Sequence, residues 1–346
     1  MANFFEDNED LLYYFDRGVD WGPLVALVEH DYQAPEGLRD LEEARATYRD
    51  MLSMVGEFAA EEIAPKAAEI DAEGARLVDG EGVLPAAARA IFDRIRELDL
   101  HGLALPRELG GFNAPMTVHF IVAELLARAE NSVMTHYNFH SGIAVALLFY
   151  SIPEGSTTFD RAARRIVETR VAAAIREILA GEAWGSMDIT EPDAGSDMAA
   201  LTCRGEQDEA GEWRITGQKI FLTSGHGKYH IVIARTEEEP GLGGLSLFLV
   251  PAFEDDGQGG RRRLATIDRL EEKLGHHGSA TAAVSFDGAP GFLIGERGEG
   301  FKLMLLLMNN ARIGVGFEAI GLSEAANRQA RANAPERRSL GTTIDP

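Results

Sequence analysis

Apolar residues recur at helical spacing over most of the first half of the chain, from about residue 41 to residue 179. In residues 85–100, the side chains of Ala88, Ile91 and Ile95 fall on one face and charged residues occupy another. The hydroxyl residues just before position 159 are candidate N-caps. The pattern therefore predicts an N-terminal helical domain over residues 1–183, with its clearest helices at residues 85–100, 116–129 and 159–179.

A second pattern begins near Trp184, where short runs rich in Ile, Val, Phe and Thr alternate with glycine-rich turns. No helix-length amphipathic pattern separates these runs. This arrangement predicts a small, mostly antiparallel β domain over residues 184–290, and it disfavours a doubly wound dinucleotide-binding sheet. The runs are residues 212–220, 229–235, 245–250 and 281–286.

Helical spacing returns from Gly298 onward. The segment 301–308 includes a run, residues 303–308, that is apolar on every face, which predicts a helix that is buried all round, and residues 321–338 predict a polar helix. A helix that is apolar on every face needs partners. Residues 291–346 are therefore expected to be the first part of a larger C-terminal helical domain, and the predicted fold class is α+β.

The charge of the chain narrows the classes of partner. Its 33 Lys and Arg residues against 56 Asp and Glu residues give a formal charge of −23, which argues against nucleic acids and anionic membranes. The single cysteine, Cys203, excludes an internal disulfide and a cysteine-based zinc cluster. The longest apolar run, residues 143–150, is far shorter than the roughly 20 residues that span a bilayer. We therefore expect a cytoplasmic protein without a membrane span.

The most specific segment is residues 187–197, which contains T-E-P-D-A-G-S-D. Its hydroxyl groups flank a turn whose main-chain N–H groups could bind carbonyl or phosphate oxygens, although an ordinary surface turn has the same pattern. Residues 215–225 follow with G-Q-K-I-F-L-T-S-G, in which Phe221 and Thr223 fall on one face of a strand. Alone, this second segment also fits a β-hairpin with Phe221 in the core.

Further segments complete the series. They are K-L-G-H-H-G-S-A-T at residues 273–281, G-E-G-F-K at residues 298–302 with Arg312 beyond it, and E-R-R-S-L-G at residues 336–341. Together these motifs, in this order, resemble the acyl-CoA dehydrogenase family, and within it a bacterial subgroup with an enlarged C-terminal region. The resemblance implies an N-terminal helical domain, a β domain and a C-terminal four-helix bundle, with FAD held between them.

Carried over by position, the resemblance also implies a set of FAD contacts. Phe221 takes the place of the aromatic residue that shields one flavin face, and Thr223 that of a threonine that hydrogen-bonds to the flavin. Arg337 matches an arginine that reaches the FAD pyrophosphate of a neighbouring subunit, which implies a homodimer or homotetramer. The expected FAD-binding residues are Ile189, Thr190, Gly195, Ser196, Phe221, Leu222, Thr223, Arg337, Arg338 and Ser339.

The same resemblance places Ser196, Asn309 and Arg312 around the CoA moiety of the substrate. Asn309 stands where some relatives have aspartate, and Leu340 stands where phenylalanine is usual. These two departures leave the adenine contacts across the dimer open.

The reaction of the family removes a proton from the carbon α to a thioester while a hydride passes from the β carbon to FAD. A carboxylate base and hydrogen bonds to the carbonyl oxygen are needed. In some relatives the base immediately precedes the arginine of the fourth motif, where this chain has Ala311. The base is therefore expected beyond residue 346, and the chain alone is expected to turn over poorly.

His136 and His140 are spaced i, i+4 and could share a helix face. No third metal ligand accompanies them, so we expect them to line the acyl pocket and expect no metal site. The adjacent His276 and His277 are expected to point apart.

The function predicted from these features is α,β-dehydrogenation of an acyl-CoA to a trans-2-enoyl-CoA, as in fatty acid β-oxidation. Electrons would pass to an electron-transfer flavoprotein. One alternative is an acyl-CoA oxidase, which shares fold and cofactor but reoxidises the flavin with oxygen. Another is a non-catalytic FAD or acyl-CoA binding module, which the missing carboxylate favours. Chain length and branching of the acyl group are not readable from the sequence.

Overall fold

The structure is a computed structural model that describes residues 2–255, 257 and 260–344. Helices dominate the first half, as the periodicity predicts. The α-helices of the described residues are α1 (Glu9–Tyr13), α2 (Trp21–Val28), α3 (Leu41–Phe58), α4 (Ala67–Glu73), α5 (Ala86–Glu97), α6 (Met116–Ala129), α7 (Asn131–Ser151), α8 (Ala172–Leu179) and, near the end of the chain, α9 (Gly300–Asn333). Short 3₁₀ turns and two π-helical turns, Tyr14–Gly18 and Ala59–Ile63, complete the helical segments.

The strands lie mostly between Trp184 and α9. They are β1 (Arg76–Val78), β2 (Glu81–Val83), β3 (Thr157–Asp160), β4 (Arg165–Thr169), β5 (Gly185–Asp188), β6 (Arg204–Gln207), β7 (Trp213–Thr223), β8 (Tyr229–Arg235), β9 (Leu245–Pro251), β10 (Phe253–Asp255), β11 (Arg261–Arg263), β12 (Ala265–Leu270), β13 (Thr281–Ile294), β14 (Arg338–Ser339) and β15 (Thr342–Thr343).

Seven of these strands form one sheet in the order β12-β13-β7-β6-β8-β5, and β9 joins β13 to β8. The pairs are antiparallel except for β5 with β8 and a single parallel bridge from β6 to β8. Val232, Phe248 and Val284 are buried in its core. The predicted mostly antiparallel β region is confirmed.

Two predicted helices are confirmed and one is partly wrong. The helix expected at residues 85–100 is α5, and the helix expected at residues 116–129 is α6. Residues 159–179 contain a helix only from Ala172, because Thr157–Asp160 and Arg165–Thr169 pair as a hairpin. The hydroxyls predicted to cap a helix start the hairpin instead, where Thr157 and Thr169 hydrogen-bond across the two strands.

Helix α9 lies against α6 and α7. Close approach is possible at Gly321, where a Cβ atom would come within 2.5 Å of the Glu124 carbonyl oxygen. Phe317 of α9 stacks on Phe120 of α6 with ring centroids 5.2 Å apart.

The prediction that residues 301–308 are buried all round is wrong for the described chain. Leu303, Met304 and Leu307 are buried, whereas Leu306 is exposed, because α6 and α7 cover one side of α9 only. Within the described residues, α9 is also the one helix whose length and composition would suit a membrane span. The packing of α9 on α6 and α7 buries one of its apolar faces.

Candidate active site

The candidate active site is a cavity of about 540 Å³ between the end of β7, the loop before β13, and helices α7 and α9. Its walls are mainly apolar, with polar groups grouped at the loop and on facing turns of the two helices. The apolar lining includes Met134, Phe139, Ile143, Met187, Phe221, Leu307 and Val315. The polar lining includes Thr135, Asn138, Thr223, Glu271, Glu272, Lys273, His276, Ser279, Asn310 and Glu318.

A β-bulge directs Phe221 into this cavity. In the pairing of β7 with β13, Ala282 faces Leu222 and Val284 faces Lys219, so Ala283 lies opposite two residues of β7. A bulge of this kind re-aims side chains and is common beside active sites. Phe221 has a φ of 60°, in the left-handed region, and its side chain is 60% exposed. A large aromatic residue rarely adopts this conformation, so the surrounding ladder holds it there at a cost in strain.

A buried ion pair joins the first two motifs. Lys219 Nζ donates to Glu191 Oε1 at 2.8 Å and to the Ile189 carbonyl oxygen at 2.9 Å, and both side chains are buried. Glu191 also accepts hydrogen bonds from the main-chain N–H groups of Thr202 and Cys203. Burial acts to raise the pKa of the Glu191 carboxyl, but Lys219 and these hydrogen bonds outweigh it and leave the pKa lowered.

The ion pair holds the turn after β5 beside β7. The Ile220 N–H donates to the Thr190 carbonyl oxygen at 2.8 Å, so the two motifs are also joined through the main chain. The Thr190 and Thr223 hydroxyls and the Ser196 N–H have no hydrogen-bond partner within residues 2–255, 257 and 260–344. Donors left free on a turn and a strand end are available to a ligand.

His136 connects the end of β7 to the loop before β13. Its Nε2 accepts from the Ala280 N–H at 3.2 Å, so the proton is on Nδ1, which donates to Ser224 Oγ at 2.6 Å. Burial holds the pKa of His136 well below its usual range, which keeps the ring neutral. His136 therefore ties Ser224, which follows Thr223, to Ala280, which follows Ser279, and it does not line the cavity.

The prediction that His136 and His140 line the acyl pocket is wrong. His140 contacts the Trp184 ring, with centroids 3.7 Å apart, and borders a separate cavity of about 210 Å³ with His101. Within the described residues, no group of three His, Cys, Asp or Glu side chains is placed to hold a metal ion.

His276 and His277 do point apart. His277 Nδ1 lies 2.7 Å from Asp71 Oδ1, whereas His276 faces the cavity. There His276 Nε2 lies 3.1 Å from Glu318 Oε1, and Asn131 Nδ2 lies 2.7 Å from the same oxygen. We call Asn131, His276 and Glu318 the polar cluster.

The other predicted site residues lie in different surroundings. Leu222 turns its side chain into the β core, so only its main chain could meet a cofactor. Ile189 is buried, while Gly195 and Ser196 are exposed on the turn. Asn309 and Arg312 hydrogen-bond to each other at 2.6 Å on the exposed side of α9, next to the lining residues Asn310 and Ala311. The last three predicted residues, Arg337, Arg338 and Ser339, lie in an exposed hairpin. They do not line the cavity.

Sequence reasoning missed several lining residues. Thr135 and Asn138 of α7 carry no motif of their own, and Glu318 lies in a stretch of α9 that resembles an ordinary amphipathic helix. The i, i+3 and i+4 spacing of residues 311, 314, 315 and 318 was the available signal, since it places them on one helix face.

The residues at this cavity are chemically suited to hold a flavin. The exposed Phe221 ring offers a flat apolar surface, and the Thr223 hydroxyl and the free N–H groups of the turn offer hydrogen bonds to ring heteroatoms and phosphate.

Comparison with known proteins agrees with this geometry. The family described as "Acyl-CoA dehydrogenase, N-terminal domain" matches residues 45–152, and the one described as "Acyl-CoA dehydrogenase, middle domain" matches residues 186–289. The helical domain, the β sheet and helix α9 together form an acyl-CoA dehydrogenase-like fold. The chain belongs to the acyl-CoA dehydrogenase family.

Individual relatives cover different shares of the chain. A 3-methylmercaptopropionyl-CoA dehydrogenase of Ruegeria pomeroyi is 32% identical over 95% of this chain. The chain spans 53% of that relative's length. A cyclohexane-1-carbonyl-CoA dehydrogenase of Geobacter metallireducens is 31% identical over 86% of this chain and 70% of its own length. The solved structure of a probable acyl-CoA dehydrogenase from Mycobacterium abscessus has a TM-score of 0.66 and 28% identity, over 89% of this chain and 73% of its own.

Proposed function

We propose that this chain holds FAD and an acyl-CoA thioester, and that the protein introduces an α,β double bond into the acyl group to form a trans-2-enoyl-CoA. The observation that carries this proposal is the bulge at Phe221. It turns the exposed Phe221 ring towards a mainly apolar cavity whose wall also carries the unpaired Thr223 hydroxyl.

The chain's own residues would divide the work as follows. Phe221 would cover one flavin face, and Thr190 and Thr223 would hydrogen-bond to the ring edge, while the exposed turn with Gly195 and Ser196 would meet the more polar parts of the cofactor. When bound, FAD supplies the hydride acceptor that no protein side chain can replace. The apolar wall would exclude water from the acyl chain, and Arg312 with its partner Asn309 would meet CoA beside the cavity.

The remaining assignments rest on the resemblance to the family. An electron-transfer flavoprotein is the proposed electron acceptor, a homodimer or homotetramer the proposed assembly, and the cytoplasm the proposed location. The exposed Arg337 would reach the FAD of a neighbouring subunit. The expectation that the catalytic base lies beyond residue 346 stays a prediction.

The first test is FAD uptake by the purified chain, followed by titration with acyl-CoA under anaerobic conditions. We expect a yellow protein whose flavin absorbance changes on addition of acyl-CoA but not of acetate or other free acids. A chain that takes up no FAD and binds no acyl-CoA would contradict the proposal. Oxygen consumption in place of dye or flavoprotein reduction would favour an oxidase.

A further inference from the structure

One end of the cavity is polar, which is unexpected for a pocket that holds a plain alkyl chain. There the side chains of the polar cluster meet: Glu318 comes from α9, Asn131 from the start of α7, and His276 from the loop before β13. The Glu318 side chain is only 17% exposed. Hydrogen bonds from His276 and Asn131 hold its pKa below the usual range even though burial opposes this.

Helices α7 and α9 fix the position of the polar end of the cavity. Contacts run antiparallel, since Gly142 lies opposite Asn310, Gly314 lies opposite Asn138, and Asn131 meets Glu318. At the opposite end, Ile143 packs on Gly185 of β5, the strand that leads into the turn with Thr190. Glu318 lies two helical turns beyond Ala311, a distance of about 10 Å along α9. The polar cluster is therefore at the end of the cavity farther from β5.

Buried hydrogen-bond acceptors near this end have no partners. Among the described residues, Asn131 Oδ1 and Asn138 Oδ1 are buried and unpaired, and so is the hydroxyl oxygen Ser279 Oγ. Asn131 Nδ2 lies 2.7 Å from both His276 Nε2 and Glu318 Oε1, and the amide is oriented by Glu318, since its oxygen in that place would face another acceptor. Unpaired buried acceptors are costly and are normally met by a ligand or by water.

The charge around the cavity is predominantly negative. Glu271, Glu272 and Glu318 line it, and Lys273 is the one Lys or Arg among the described lining residues. Lys273 Nζ donates to the Ser279 carbonyl oxygen at 3.1 Å and to that of Glu271 at 3.3 Å, while the Glu271 carboxylate is paired with Arg269 at 2.9 Å. At the polar cluster, a carboxylate carried by the acyl group would meet the Glu318 carboxylate, which is a like charge, beside the unpaired oxygens Asn131 Oδ1 and Asn138 Oδ1.

We propose that the acyl group held here carries a hydrogen-bond donor, a hydroxyl or an ammonium group, on the part farthest from the thioester. The donor is received by the polar cluster and Asn138. Acyl groups that end in a carboxylate are rejected. This inference rests on the proposed function, since it concerns the substrate of the same cavity.

The test is calorimetric titration of the FAD-loaded chain with CoA thioesters matched in length. At four, six and eight carbons, the plain acyl-CoA is compared with the forms that carry a terminal hydroxyl, ammonium or carboxylate group. We expect the hydroxyl or ammonium form to bind at least about tenfold more tightly than the plain form at one length, and the carboxylate form to bind more weakly than both.

Glu318→Gln keeps the shape of the side chain and removes its charge, so it should abolish most of the preference for ammonium over hydroxyl. Glu318→Leu should reverse the preference towards the plain acyl chain. Glu324→Gln, on the same helix but outside the cavity lining, is the control and should bind all ligands as the unchanged chain does. Retained FAD binding and flavin absorbance would show that a variant is folded.

The outcomes separate this inference from the proposed function. Binding of plain and carboxylate forms as tight as the hydroxyl and ammonium forms at every length would overturn the inference and leave the proposed function standing. The same holds if Glu318→Gln and Glu318→Leu change nothing. Failure of every CoA thioester to bind, including the plain ones, would overturn both.

Discussion

Lys219 Nζ lies 2.8 Å from Glu191 Oε1 in the interior of the protein, and the same ammonium group donates to the Ile189 carbonyl oxygen. This pair connects the turn after β5 to the strand that carries Phe221 and Thr223. The buried pair, together with the hydrogen bond from the Ile220 N–H to the Thr190 carbonyl oxygen, therefore sets the separation of the two segments that are proposed to hold the flavin.

Removing the ammonium group alone should be strongly destabilising. Lys219→Met leaves the Glu191 carboxylate buried without its partner, which typically costs about 3–5 kcal/mol of unfolding free energy. Urea denaturation measures the change. Replacing both residues, as in Lys219→Met with Glu191→Leu, should recover only part of the loss, because the Thr202 and Cys203 N–H groups then lose their acceptor. Arg204→Met at the exposed pair with Glu206 should cost less than about 1 kcal/mol. Equal losses for Lys219→Met and Arg204→Met would refute this role.

The bulge predicts an unusual order of stabilities at position 221. Glycine normally destabilises a strand relative to alanine, by roughly 0.5–1 kcal/mol. At a φ of 60°, however, the Cβ atom of alanine retains the left-handed strain, which is about 1–2 kcal/mol for an L-residue. Phe221→Gly should therefore be at least as stable as Phe221→Ala in thermal unfolding, while both lose FAD affinity. If Phe221→Ala is clearly the more stable of the two, the bulge geometry is wrong.

Thr223 supplies the proposed flavin hydrogen bond. Thr223→Ala should raise the Kd for FAD roughly two- to tenfold, since one hydrogen bond contributes about 0.5–1.5 kcal/mol. Thr223→Ser keeps the hydroxyl and serves as the matched variant, and fluorescence titration of FAD measures both. Unchanged FAD affinity and redox potential in Thr223→Ala would remove this residue from the site.

Glu124, beneath α9, predicts a pH dependence of stability. Burial, with added repulsion from Glu324 and Asp10, raises its pKa to about 7 from the ordinary 4.5. The folded state therefore holds the proton more tightly than the unfolded state, so stability should fall as pH rises from about 4.5 to 7. Glu124→Gln should remove that cost and be more stable than the unchanged chain at pH 8, by roughly 1–3 kcal/mol, but not at pH 4.

Denaturant titrations at both pH values test this difference. Glu324→Gln, its partly exposed neighbour, should produce a smaller change in the same direction. A Glu124→Gln chain that is less stable than the unchanged chain at pH 8 would contradict the prediction.

Arg337 predicts a link between assembly and cofactor binding. Its side chain is exposed and does not line the cavity of its own chain. If Arg337 reaches the FAD pyrophosphate of a neighbouring subunit, Arg337→Ala should weaken FAD binding and make the FAD occupancy depend on protein concentration. FAD absorbance measures the occupancy, and ultracentrifugation measures the assembly. Arg331→Ala, on the last turn of α9, is the control. Full FAD affinity with unchanged assembly in Arg337→Ala would argue against a shared site.

The sequence by itself determined the periodic elements and the family. Helix α5 follows directly from local apolar spacing, because burial of one face needs only the right period, whereas α6 and β8 are apolar and buried on most positions. The motifs around Thr190 and Phe221 indicated the two segments that are proposed to hold the flavin, since each motif is a continuous run of residues. Local hydroxyl residues misled the prediction at residues 157–169, where pairing across a hairpin prevailed over helix capping.

Only the tertiary structure decided where distant groups meet. Whether His136 faces the cavity or the turn depends on Ser224 and Ala280, which approach it from other elements. The conformation of Phe221 depends on the register of β7 against β13, a property of two strands together rather than of either sequence. Glu318 gained its polar neighbours because α9 runs antiparallel to α7. Such contacts are set by the packing of whole elements, and spacing along one segment does not contain that information.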